Sequence, residues 1–288
     1  MRRPESPDTV PAMQTRPIPH SAENLPVIGL GTFRAFDTSL TATPIRDALA
    51  DVIRQLTEAG GTMIDSSPMY GRAEAVVGEL LETEPARAKA FIATKVWTRG
   101  KHEGIAAMDE SLRLLRTSSI ALMQVHNLID TETHLATLRE WKAQGRVRYI
   151  GITHYTASAF DALKKTIAAH PEVDFCQFPY SLIERAAERD LLSFCADHGV
   201  ATLINRPFGQ DELFAKVADR ALPDWAAEIG CTSWAQIALK YLIADARVTC
   251  IIPATSKPHH MRDNLKAVAG AMPDAALRTR MAAFFDNL

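Results

Sequence analysis

Short runs of aliphatic and β-branched residues alternate along this chain with longer segments whose apolar positions recur every three or four residues. The short runs are V-I-G-L-G-T (27–32), M-I-D-S (63–66), A-F-I-A-T-K-V (90–96) and I-A-L-M-Q-V-H (120–126). They continue with V-R-Y-I-G-I-T (147–153), D-F-C-Q-F (174–178), A-T-L-I-N-R (201–206) and V-T-C-I-I-P (248–253). Most are nearly continuous in apolar residues, as strands covered on both faces should be. The segments between them predict helices. Between the first two runs Thr43 is the expected N-cap, and Pro44 suits the first turn. Ile45, Leu49, Val52, Ile53 and Leu56 then form one stripe, which Gly60 ends. Ile105, Met108, Leu112 and Leu115 make a second stripe, and Leu135, Leu138 and Trp141 a third, closed by Gly145. Before the seventh run Leu191, Leu192 and Cys195 face inward, with Gly199 at the helix end.

Eight strand–helix alternations predict an α/β protein of the closed (β/α)8 TIM-barrel class. An open doubly wound sheet is the competitor. It lacks support, because no G-x-G-x-x-G follows any strand, and G-L-G-T-F-R (29–34) is missing the third glycine. No G-x-x-x-x-G-K phosphate loop occurs either. Ahead of the first strand, R-P-I-P-H-S-A-E-N-L-P-V predicts a β-hairpin that plugs the barrel floor. After Pro273 one extra helix runs through Ala282 and Phe285. The polar, proline-rich residues 1–15 are expected to be a disordered tail, and 16–288 a single barrel domain.

Composition narrows the partners. The chain has 288 residues, 47% of them hydrophobic, enough for a large buried core. A net charge of -2 gives no field favouring nucleic acid or an anionic membrane. No apolar run approaches a membrane span, and the Arg2–Arg3 pair has no apolar segment after it, so an export signal is not expected. Cys176, Cys195, Cys231 and Cys250 form no C-x-x-C pair and lie in apolar patterns. They read as reduced, buried thiols of a cytoplasmic protein, with no metal site. A monomer is the default.

In a barrel of this class the site lies at the C-terminal strand ends. Polar residues collect there: Thr32, Asp65, Lys95, His126, Thr153 with His154, Gln177, Asn205 with Arg206, and Thr255. Polar groups are costly to bury without partners, so packing alone does not explain their gathering at one rim. Tyr70, in P-M-Y-G just after the second strand, is the candidate general acid. A free phenol titrates at about 10, and a neighbouring cation is expected to lower that. Lys95 is the candidate cation, held by Asp65, and His126 would orient a substrate carbonyl. Each residue alone has a bland reading, as a surface tyrosine, a cap, a snorkelling lysine or a core histidine. The four together do not.

These residues and their surroundings resemble the aldo-keto reductase family. The resemblance runs from about Arg16 to the last helix, through L-P-V-I-G-L-G-T, I-D-S-S-P-M-Y-G-R-A-E, A-T-K-V-W, Q-V-H-N, G-I-T-H-Y, Q-F-P-Y-S and I-I-P-A-T-S-K-P-H-H-M-R-D-N-L. It implies a catalytic tetrad of Asp65, Tyr70, Lys95 and His126. It also implies a nicotinamide cofactor lying across the barrel mouth, NADP(H) with NAD(H) as the alternative, and a small carbonyl substrate. Thr153, His154 and Gln177 would hold the carboxamide, His154 standing where the family has Asn. Asn205 stands where the family stacks an aromatic ring on the nicotinamide; Pro207 and Phe208 follow it, and Phe208 could compensate. Arg206 would meet the pyrophosphate. Thr255, Ser256, Lys257, Arg262 and Asn264 would surround the adenosine phosphate. The family often has lysine at Ala254 and arginine at His260, so Lys257 and Arg262 would supply the missing charge. Phe33 and Trp97 would line the substrate pocket beside His126. The competing readings are a non-catalytic NADP(H)-binding regulator on the same scaffold, and a metal-dependent barrel hydrolase using Asp65, His126 and His154.

Overall fold

The computed structural model describes residues 13–82 and 84–288. Strands β1 (Thr15–Pro17) and β2 (Asn24–Pro26) pair antiparallel, with Thr15 opposite Pro26, and form the expected hairpin. Eight parallel strands follow in sequence order: β3 (Leu30–Gly31), β4 (Met63–Asp65), β5 (Phe91–Val96), β6 (Ile120–His126), β7 (Val147–Thr153), β8 (Phe175–Pro179), β9 (Ala201–Asn205) and β10 (Cys250–Ile251). Parallel bridges from Ile28 to Ile251 and from Gly31 to Ala254 close the sheet into a barrel. The eight sequence runs therefore all become strands, the two at the seam being the shortest.

Helices α1 (Thr43–Glu58), α2 (Ala73–Glu82), α3 (Lys101–Leu114), α4 (Thr131–Ala143), α5 (Phe160–Ala169) and α6 (Leu191–Asp197) follow successive strands. After β9 come two short helices, α7 (Glu212–Val217) and α8 (Trp225–Glu228), before α9 (Trp234–Ile243). Then α10 (Pro258–Leu265) follows β10, and α11 (Ala275–Asp286) is the extra C-terminal helix. The predicted apolar stripes are buried with two exceptions: Ile45 is exposed, and Ile105 is half-buried. The N-cap of α1 is Ala42 rather than Thr43, and no side chain caps it; Pro44 still occupies the first turn. Here Pro sets φ without needing a capped N–H.

The interior of the barrel is layered. Ile18 and Leu25 of the hairpin pack on Met63, Phe91, Leu122, Tyr149, Phe175 and Cys250, which closes the floor with apolar side chains. Arg16 reinforces that floor by donating to the carbonyls of Ile243, at the end of α9, and of Asp245 and Val248 just beyond it. The tail expected over 1–15 lies largely outside the described residues. Within it Gln14 Nε2 donates to Val268 O at 2.9 Å and Thr15 is already in β1, so defined chain starts before the expected boundary. Arg2 and Arg3 also lie outside. At the other end, Arg278 of α11 donates to Tyr180 Oη and to Glu188, both at 2.9 Å, tying the last helix to the loop after β8. Among the described residues no helix is long and apolar enough to cross a membrane.

Close approach of α2 to the end of α3 requires a glycine. A Cβ on Gly78 would stand 2.1 Å from Leu114 O and 2.9 Å from Leu115 Cα, both backbone atoms that cannot swing aside. We expect Gly78→Ala to lose about 2–3 kcal/mol in urea unfolding, through overpacking. An unchanged midpoint would contradict this helix contact.

Candidate active site

Side chains two apart on a strand share a face, so each apolar floor residue has a partner nearer the C-terminal rim. Above Met63 stands Asp65; above Ala93, Lys95; above Leu122, Gln124 and then His126. Tyr149 leads to Gly151 and Thr153, Phe175 to Gln177, and Leu203 to Asn205. Parallel register sets Lys95 beside Gln124 and Thr153 beside both His126 and Gln177. The interior thus changes from apolar to polar at one level of the barrel.

At that level lies a buried ion pair. Lys95 Nζ donates to Asp65 Oδ2 and to Ser66 O, each at 2.6 Å, with both side chains almost wholly out of water. The ammonium stands 4.9 Å from the centroid of the Tyr70 ring. His126 meets that ring edge-on at 6.3 Å, and Trp97 lies 6.2 Å from the imidazole. Phe33 covers the phenol from another side at 5.0 Å. The four residues of the expected tetrad are therefore neighbours.

Burial acts most strongly on the titrations of Lys95, Tyr70 and His126. It opposes a charged Lys95, but Asp65 chiefly, with Tyr70, holds the ammonium above its ordinary value. Burial raises Tyr70 and Lys95 pulls it down; the phenol stays above its usual value. The expectation of a phenol lowered by its lysine is corrected here: desolvation outweighs the cation. His126 is pushed down to about 3, by burial first and then by Lys95 and His154. Its Nδ1 lies 3.2 Å from Ser67 Oγ. Because that hydroxyl oxygen already accepts from Met69 N at 3.4 Å, its own proton can go to Nδ1, which leaves the imidazole proton on Nε2.

A second set of contacts was hidden in the sequence. Gln124 Nε2 and Gln177 Nε2 both donate to Asp65 Oδ1 at 3.0 Å, and Gln177 Nε2 also donates to Gln124 Oε1 at 3.0 Å. Gln124 fits because Gly151 faces it: a Cβ there would lie 2.8 Å from Gln124 Cγ. Asn205 Nδ2 donates to Gln177 Oε1 at 3.4 Å and to His154 O at 3.3 Å. Thr32 Oγ1 donates to Asp65 O at 3.0 Å, fixing the backbone of the carboxylate. Gln124, Ser66 and Ser67 were not singled out from the sequence; a lone Gln within an apolar strand was the available signal.

The remaining candidates ring the same rim. Thr153 is buried beside His126. His154 Nδ1 accepts from Thr156 N at 3.2 Å, so the ring caps its own loop while stacking on Tyr155. Arg206 Nη1 donates to Tyr155 O at 2.8 Å, bridging the loops after β7 and β9. Pro207 is buried, and Phe208 packs against Phe214 at 5.0 Å. Thr255 Oγ1 accepts from Lys257 N at 3.0 Å at the start of α10. Ser256, Lys257 and Arg262 are exposed and Asn264 is buried. Phe33, Met69, Trp97 and Tyr155, on loops after the strand ends, and Phe214 in α7 are exposed and give the mouth an apolar rim. Asp65 is enclosed by an ammonium and two amides, which leaves it no free oxygen for the cation of a hydrolase.

The depressed titration of His126 predicts acid sensitivity. Between about pH 3 and the ordinary imidazole value of 6.5 the unfolded chain binds a proton that the folded one refuses. Its contribution is intact above that window and is lost as pH falls through it. We expect His126→Gln to lose less stability than the wild type between pH 7 and about 4.5 in urea unfolding. Equal losses would contradict a neutral, buried imidazole.

The sequence model of the aldo/keto reductase family matches residues 27–279. Methylglyoxal reductase YeaE of Escherichia coli K12 is 29% identical over 277 residues, covering 92% of this chain and 93% of that protein. Methylglyoxal reductase DkgB of Escherichia coli O157:H7 is 26% identical over 255 residues, 84% of this chain and 87% of that one. Among solved structures, an aldo/keto reductase from Klebsiella pneumoniae in complex with NADP and acetate superposes with a TM-score of 0.78 at 24% identity, covering 91% of this chain and 92% of its own. The family match takes in every barrel strand and the whole rim, and on that ground the chain belongs to the aldo/keto reductase family.

Proposed function

We propose that this protein reduces aldehydes or ketones to alcohols with a reduced nicotinamide dinucleotide, NADPH by preference, and that Tyr70 is the general acid. The observation that carries this reading is the Asp65–Lys95 pair set beneath the Tyr70 ring. When bound, the cofactor supplies a hydride to the carbonyl carbon. Everything else falls to the chain. A phenol above its ordinary value stays protonated at neutral pH and has a proton to give. The buried ammonium stabilises the phenolate that remains once the proton has moved to the carbonyl oxygen. Neutral His126, with its proton on Nε2, can donate a hydrogen bond to that same oxygen.

The rim also suits the cofactor. Among the described residues Asn205 Oδ1 and Arg206 Nε are buried and lack hydrogen-bond partners, an acceptor and a donor on adjacent residues. Arg206 would meet the pyrophosphate. Thr255, Ser256, Lys257, Arg262 and Asn264 would hold the adenosine phosphate, where exposed Lys257 and Arg262 supply charge for a 2′-phosphate. Phe33 and Trp97 would flank an apolar substrate. The Klebsiella protein's complex with NADP supports the choice of cofactor. The relatives named methylglyoxal reductases make small ketoaldehydes the first substrates to try. Four buried free thiols suit a reducing compartment, and we place the enzyme in the cytoplasm.

Tyr70→Phe removes the proton donor and keeps the ring. Turnover of a methylglyoxal-type aldehyde with NADPH should fall about 10²–10⁴-fold, while the NADPH dissociation constant changes less than about twofold. Undiminished turnover would remove Tyr70 from the reaction. Binding with no turnover across an aldehyde panel in the wild type would favour a regulatory protein.

A further inference from the structure

Gln177 is one of three residues, with Thr153 and His154, expected to hold the cofactor carboxamide, yet its amide is engaged inside the barrel. Both of its N–H directions are used, toward Asp65 Oδ1 and Gln124 Oε1, and its oxygen takes Asn205 Nδ2. These contacts form a polarised relay. A carboxylate paired with an ammonium can only accept, so Gln124 and Gln177 must both turn their nitrogens toward Asp65. Gln177 must then offer Oε1 outward, and Asn205 must meet it with Nδ2. Turning the Asn205 amide over would set its oxygen against Gln177 Oε1 and His154 O, two acceptors. The charge at Asp65 therefore fixes which atom Asn205 has left over.

That atom is Oδ1, shielded from water and without a partner among the described residues. A buried acceptor without a donor is costly, and a ligand N–H at the rim would complete it. We propose that Asn205 Oδ1 accepts the amide N–H of the nicotinamide carboxamide, oriented for that contact by Asp65 through Gln177. This rests on the cofactor reading above and extends it. The residue standing in the place of a stacking ring becomes a hydrogen-bonding residue, and the carboxylate that pairs with Lys95 also orders the cofactor's acceptor. Arg206 Nε, the adjacent donor without a partner among the described residues, is no part of the relay.

The test compares NADP⁺ with its 3-acetylpyridine analogue, in which a methyl group replaces the carboxamide nitrogen. Dissociation constants are read from quenching of tryptophan fluorescence, Trp97 standing exposed at the mouth. Wild type should prefer NADP⁺ about five- to tenfold, the worth of one buried hydrogen bond. Asn205→Leu should shrink that preference to less than about twofold. If the leucine variant melts early, Asn205→Ala gives the same comparison. A wild-type preference retained in the variant, or no preference in the wild type, overturns the proposal and leaves the reductase reading intact. A wild type that binds neither dinucleotide overturns the cofactor reading itself.

Discussion

The buried ion pair of Asp65 and Lys95 is the constraint around which the rest of this barrel is arranged. Two charges taken out of water are tolerated only when every remaining lone pair and proton has a partner. Here Oδ2 takes the ammonium, Oδ1 takes two amide N–H groups, and the ammonium also reaches Ser66 O. What is left of the ammonium's field falls on the Tyr70 ring. Losing one partner of such a pair costs roughly 3–5 kcal/mol, because the other charge is left uncompensated. The polar level of the barrel therefore stands or falls as a unit.

The apolar floor gives that unit its strength. Ile18 and Leu25 of the hairpin, with the ring of side chains they cover, keep water from reaching the pair from below. In that dry surrounding the same charges interact more strongly than they would at the surface. The mouth is built differently. Its loops carry exposed aromatics and short helices, and at the end of β9 Asn205 Oδ1 and Arg206 Nε have no hydrogen-bond partner among the described residues. Apolar packing is concentrated below and polar side chains above, the division common to barrels of this class.

Much of this was legible from the chain. Near-continuous apolar runs could only be strands covered on both faces, and Asp65, Lys95 and His126 broke those runs at their C-terminal ends. The hairpin and the last helix were legible from turn residues and spacing. Other features depend on distances that sequence does not carry. Gln124 reaches Asp65 only because Gly151 on the next strand leaves room, a contact between residues far apart in the chain. The Tyr70 titration was misjudged because a neighbouring cation can be guessed from spacing, whereas the depth of burial that outweighs it cannot. Thr43 looked like a cap by residue type, but the chain enters α1 one residue earlier. The segment holding α7 and α8 lacks a sustained apolar period, which hid both short helices.

The central claim is that the Lys95 ammonium pulls the Tyr70 titration down against the larger effect of burial. Its most direct test is the titration of that phenol by NMR of ¹³C-labelled tyrosine, assigned by difference from Tyr70→Phe. The comparison is between wild type and the charge-balanced double variant Asp65→Asn, Lys95→Met, which leaves no unpaired charge in the barrel. The account predicts that the Tyr70 pKa rises further in the double variant, because burial then acts without the cation. An unchanged or lowered value would contradict it.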